Sequence, residues 1–178
     1  MALGRLFRPK EEAAIGRELY ASAARQAREP GFYTRLGAPD TVEGRFEMFS
    51  LHVALLLLRL KGEGKAAAEV AQHLFETYVK SLDDALRDMG VGDVSVGKRM
   101  RKLGEAFYGR MRSCELALAA RPDLAELQAL MARTALEDAA AGRPDLLAEY
   151  VSRAADGLAA LPLEDLLAGK AAWPKAPA

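Results

Sequence analysis

The sequence predicts an all-α protein: a compact bundle of about six or seven helices whose C-terminal part is a helical pair. Three observations carry this. Apolar residues recur at spacings of three and four along most of the 178 residues, and no stretch shows the alternation of a half-buried strand. Helix-end signals punctuate that pattern at Pro30-Gly31, at Gly62 to Gly64, at Gly90 and at two Arg-Pro-Asp-Leu stretches. A hydrophobic fraction of 51% is enough for a core, beside an ordinary 28% of charged residues.

Residues 11–29 place Ile15, Leu19 and Ala23 one turn apart and read as the first helix, stopped by Pro30-Gly31. Asp40, with Glu43 three places on, has the form of a capping box that opens a second helix reaching about Lys61. From Val53 to Leu58 that helix is apolar all round, which marks it as the central core element. The third helix, about 65–89, carries a stripe of Val70, Leu74, Tyr78, Leu82, Leu86 and Met89, and Gly90 stands where a left-handed C-cap is wanted. Asp93 or Ser95 can cap a fourth helix extending to about Ala120. "RPDLAELQ" at 121 and "RPDLLAEY" at 143 each put Pro at a first helical position with an acid behind it. "LPLEDLLAG" forms a last short helix. The expected organisation is a flexible N-terminal segment (1–9), one helical domain (10–170) and a flexible tail (171–178), with "KAAWPKAPA" frayed.

Formal net charge is zero, so any polyanion binding must come from local clustering. One cysteine, Cys114, excludes an intrachain disulfide and a Cys-rich zinc site. The start, "MALGRLFRPK", lacks the apolar core of a secretion signal, and the longest apolar run, Val53 to Leu58, is far below the ~20 residues that span a bilayer. A cytoplasmic protein is the expectation. Leu3, Leu6 and Phe7 among Arg5, Arg8 and Lys10 give that start two readings: a peripheral contact with an anionic membrane surface, or a disordered beginning.

Charge is distributed unevenly. Residues 92–112 hold Lys98, Arg99, Arg101, Lys102, Arg110 and Arg112 against Asp93 and Glu105, whereas 113–168 holds four arginines against ten acids. Two surfaces with different partners, or two that face each other, follow from this. "GVGD" before the basic run is not a phosphate loop. It follows a helix rather than a strand, and Asp93 sets a carboxylate where a phosphate would sit. Lys98, Arg101, Lys102 and Glu105 share one helix face, with Met100, Leu103, Phe107 and Met111 opposite. That face is either solvated or a docking surface, with Tyr108, Arg110 and Arg112 at its end. RNA is the alternative partner, although aromatic platforms for single strands are few.

His52, one turn before the apolar run, reads first as a hydrogen-bonded core or boundary residue. His73 lies near Gln72 and Glu76, but two histidines alone make no metal site. Asp83 and Asp84 diverge on a helix, Cys114 is a small core residue, and no nucleophile stands near a base. No catalytic residue, cofactor or metal is expected.

"FYTRLGAPDTVEGRFEMFSLHVALLLLRL" followed by "LDDALRDMGVGDVSVGKRMRKLGEAFYGR" resembles the ubiquinol–cytochrome c chaperone family, over about residues 30–112. The family pattern falls on Gly44, Arg45, Phe46, Glu47, Leu51 and His52. It falls again on Asp84, Leu86, Arg87, Gly90, Gly92 and Asp93, and then on Lys98, Met100, Tyr108, Gly109 and Arg110. The resemblance implies a non-enzymatic helical chaperone for assembly of the ubiquinol–cytochrome c reductase, with cytochrome b as client. It also implies a ribosome and a small helical partner protein as further partners, and no DNA. No mitochondrial presequence is recognisable, so the likeness is to a bacterial member. With the basic face, it makes Arg45, Glu47, His52, Arg87, Asp93, Lys98, Arg101, Lys102, Tyr108 and Arg110 the expected partner-binding residues. Phe46, Leu51, Leu86 and Met100 are expected in the core. The acidic region after residue 113 carries no matching motif.

Overall fold

The computed structural model describes residues 8–137 and 140–176, and these contain no strand. The helices are α1 (Arg8–Gln26), α2 (Gly31–Thr34), α3 (Val42–Leu60), α4 (Lys65–Asp88), α5 (Asp93–Ala119), α6 (Ala125–Arg133), α7 (Pro144–Ala160) and α8 (Leu163–Leu166). Two of these, α2 and α8, are single turns, so six longer helices build the bundle and the all-α expectation holds.

The all-apolar helix is central, as its composition requires. α3 packs on α1, α4, α5 and α7, with Val53 to Leu56 buried and Leu57 and Leu58 half-buried. The most extensive packing is between α1 and α4. It closes over Gly16, where an added Cβ would stand 2.8 Å from Leu74 N and 2.9 Å from the carbonyl carbon of His73.

The start of α3 differs from the capping-box reading by one residue. Thr41, in extended backbone, is the N-cap, and its Oγ1 accepts from Gly44 N at 3.0 Å. Asp40 instead accepts from Arg45 Nε at 2.5 Å, a bond that holds its carboxyl below the usual carboxylate range. Gly44 has no room for a side chain: a Cβ would lie 2.1 Å from Pro39 O. Ala normally gains up to ~1 kcal/mol over Gly inside a helix. Here the backbone clash outweighs that gain, and Gly44→Ala should lower stability by about 2 kcal/mol. Gly97→Ala and Gly104→Ala, where a Cβ meets nothing within 4 Å, should be neutral or stabilising. Urea unfolding of the three variants checks the contrast.

α4 ends as expected, with Gly90 at φ +79° and Val91 N bonded to Leu86 O at 3.0 Å. α5 differs at its start. Gly92 is the N-cap and has no side chain to offer, while the Asp93 carboxylate turns to Arg87. Pro144 is the first residue of α7, as read. Pro122 is not the first of α6; it follows a cis peptide bond, and the helix opens at Ala125, whose N–H the Asp123 carboxylate accepts at 2.9 Å.

The stretch expected as a frayed tail makes tertiary contacts. Through Ala176 the chain lies back on the bundle. Trp173 Nε1 donates to Ser22 Oγ at 3.0 Å, and Pro174 O accepts from Gln26 Nε2 at 3.0 Å. A lone Trp between small residues buries too much apolar surface to stay in water. Residues 1–7, with the membrane-contact reading of the N-terminus, lie outside the described residues.

Candidate functional site

A length mismatch between neighbouring helices creates the site. α3 has 19 residues and α4 has 24, and only Lys61 to Gly64 joins them. The two therefore run back to back. At 1.5 Å per residue α4 overshoots the start of α3 by roughly 7 Å. α5 then doubles back and meets α3 beside Phe107, where Glu47 pairs with Arg110. Along the overshoot the space between α3 and the first half of α5 is left open.

The apolar stripe of α4 continues into that space. Val70, Leu74 and Tyr78 are buried, Leu82 and Leu86 are half-buried, and Met89 is 60% exposed. Leu82, Leu86 and Met89 form one wall of an open groove of about 370 Å³ that Val42, Phe46, Ala85 and Leu103 complete, with Glu43, Arg99 and Lys102 at its edge. Val42 is 64% exposed at the opposite lip. A second cleft of about 280 Å³ adjoins it. Val42, Phe46, Leu82 and Ala85 line both, and the second is edged by Arg28 and Arg45. Together they make one apolar trough crossing α3 and α4, with cations at each end.

The ten expected partner-binding residues divide into groups. Lys102 stands on the groove edge, and Lys98 and Arg101 lie exposed on the same helix. Neither they nor Arg99 have an ion-pair partner among the described residues, so the acidic C-terminal helices do not cover them. Arg45 edges the second cleft, paired with Asp40 and 5.7 Å over the Tyr33 ring. Arg87 pairs with both Asp83 and Asp93 and so fastens the turn between α4 and α5. Tyr108 is 52% exposed, with its ring 5.3 Å from Phe75, outside the groove.

Glu47 and Arg110 are taken up by each other. They meet at 2.5 Å beside an internal void of about 30 Å³, room for about one water. Burial raises the Glu47 pKa although Arg110 opposes the shift. His52 does not belong to a partner surface, because it is fully buried. Its Nδ1 lies 2.7 Å from Met48 O, which can only accept, so the ring proton is there and Nε2 accepts from Tyr150 O–H at 2.8 Å. Gln26 Nε2 donates in turn to Tyr150 Oη at 3.0 Å. Burial lowers the His52 pKa to about 4, so the ring is neutral.

Two core expectations change as well. Leu86 lines the groove, and Met100 is half-buried outside the main core, whereas Phe46 and Leu51 pack on that core. Val42, Met89 and Leu103 are the groove residues that sequence reasoning missed. The signal available for the first two was an apolar residue just inside one helix start and just beyond one helix end. Among the described residues no group of His, Cys, Asp and Glu could hold a metal. Cys114 is buried, its thiol pushed up to about 12.

A family model described as ubiquinol-cytochrome C chaperone matches residues 34–173. That span runs through α6 and α7 to Trp173, so the acidic region without a recognisable motif is part of the family unit. Ubiquinol-cytochrome-c reductase complex assembly factor 1 of Xenopus laevis is 27% identical over 145 residues, 80% of this chain and 72% of that protein. The Mus musculus protein of that name is 26% identical over 158 residues, 87% of this chain and 53% of its own. The crystal structure of the Cbp3 homolog from Brucella abortus superposes with a TM-score of 0.87 at 37% identity, covering 99% of this chain and 98% of that one. No helix among the described residues is long and apolar enough to cross a membrane. These are assembly proteins rather than catalysts, and the chain belongs to the ubiquinol–cytochrome c chaperone family.

Proposed function

We propose that this chain is an assembly chaperone that holds an apolar segment of cytochrome b in the trough between α3, α4 and α5 while the reductase is built. The observation that supports it most is the uncovered end of the α4 stripe. A monomer in water gains by covering Met89 and Val42, at roughly 25 cal/mol per Å² of apolar surface. Here 60% and 64% of those residues are left exposed on either side of a groove. Holding a client needs no chemistry beyond such a groove and a charged edge. The test uses residues whose exposure spares the fold. Val42→Glu with Met89→Glu should lower co-purification of cytochrome b from respiring membranes at least about tenfold, with helicity retained. Undiminished capture would sink the reading.

One observation favours a second reading, a ribosome or RNA contact through α5. Lys98, Arg99, Arg101 and Lys102 are all exposed, with no ion-pair partner among the described residues. Such a contact would weaken steeply with salt and persist without any client. The client reading takes precedence because it also accounts for the apolar groove.

A further inference from the structure

From the charges around the trough we infer that its occupant is an apolar helical segment with carboxylates at the end lying over α5, and that segments ending there in Lys or Arg are rejected. This rests on the groove being the client site and adds which end of a segment fits. At the α5 end Arg99 and Lys102 line the groove itself, and Lys98 and Arg101 extend the same potential along the exposed helix. Glu43 is the one acid lining that groove. None of the four cations has an ion-pair partner among the described residues, so their attraction is available to a ligand. At the far end Arg45 is already held by Asp40 and Arg28 bonds to Ala24 O, so selection there is weaker.

α1 is not the occupant. α1 meets α4 at Gly16, against His73 and Leu74, while the C-terminal half of α1, with Tyr20, Ala24 and Arg28, edges the trough. The first residues of α1 therefore point away from it. The occupant we infer is an external segment, and charge complementarity selects it. Membrane-spanning segments carry an excess of Lys and Arg at their cytoplasmic ends. A basic groove edge turns that asymmetry into direction: the basic end cannot lie over α5, so the opposite or acid-bearing end does.

The experiment uses three fluorescent peptides that share one apolar helical core and end in two Glu, two Gln or two Lys. Binding to the full chain is followed by anisotropy at low and high salt, and repeated with R99E/K102E. The Glu peptide should bind about tenfold more tightly than the Lys peptide, since each exposed pair adds only modestly. The ratio should shrink as salt rises and reverse in the charge-swapped variant, with R99Q/K102Q between the two. Equal binding of Glu and Lys peptides, with the Gln peptide still lost in V42E/M89E, would overturn the charge rule and leave the groove standing. No binding by any peptide, or binding untouched by V42E/M89E, would overturn both. Binding of an RNA oligonucleotide through Arg99 and Lys102 with no peptide bound would assign the surface to nucleic acid and end the proposal.

Discussion

Replacing His52 with Ala should lower stability by about 4 kcal/mol, a large share of the ~5–15 kcal/mol that holds a domain of this size. The ring is fully buried and sits 5.4 Å from Phe32 and 5.1 Å from Trp173, centroid to centroid. Truncation leaves a cavity and strands the Tyr150 hydroxyl, whose proton has no other acceptor in the chain Gln26–Tyr150–His52–Met48. His52→Phe keeps the volume and loses only the acceptor, so about 1–2 kcal/mol is expected. Trp173 is the only tryptophan, and it packs edge-to-face against this ring. Its fluorescence during urea unfolding therefore reports the site directly.

The same residue sets a pH dependence of definite sign. The His52 pKa is near 6.5 unfolded and about 4 folded, so in that window the unfolded chain binds more protons. The stability His52 provides is complete above pH ~6.5 and is lost as pH falls toward ~4, by about 3 kcal/mol. Glu47 acts in the opposite direction. Its folded pKa is raised, so the folded state binds more protons and gains stability as pH falls. His52→Phe should therefore flatten or invert the acid limb. An unchanged limb would mean that other groups produce it.

The all-α architecture was legible because it depends on local periodicity and helix-end chemistry. The basic face of α5 was legible for the same reason, since charges three and four apart share a face whatever the neighbours do. His52 was half legible. A lone His before an apolar run suggests a core residue, but nothing nearby in sequence announces Tyr150, 98 positions away. The stripe from Val70 to Met89 reads as uniform, and the sequence pattern cannot show where the partner helices stop covering it. The lengths of α3 and α4 contain that information, and comparing them would have placed Leu86 and Met89 beyond the core. How far α5 stands off from α3 could not be read at all. It is set by the turn that Arg87 fastens and by the pairing of Glu47 with Arg110, both tertiary contacts.

That pairing bears on whether Arg110 is a partner-binding residue. Its side chain is 37% exposed and reaches the carboxylate of Glu47, a side chain that is 12% exposed. Arg110→Met should destabilise by about 3 kcal/mol at neutral pH, the low end for a broken buried pair, because the carboxylate is left without a counter-charge. The loss should shrink as pH falls, since protonating Glu47 removes the stranded charge. Adding Glu47→Met should restore stability to within about 1 kcal/mol of the original, because both desolvation penalties are then gone. A residue that grips a client behaves otherwise. Its loss would leave the melting temperature unchanged, lower client capture, and not be rescued by a second substitution at Glu47. If the double variant is as stable as the parent and still captures cytochrome b, Arg110 is a positioning residue. It then acts by fixing where α5 first touches α3, and so how wide the groove beyond that point stands open.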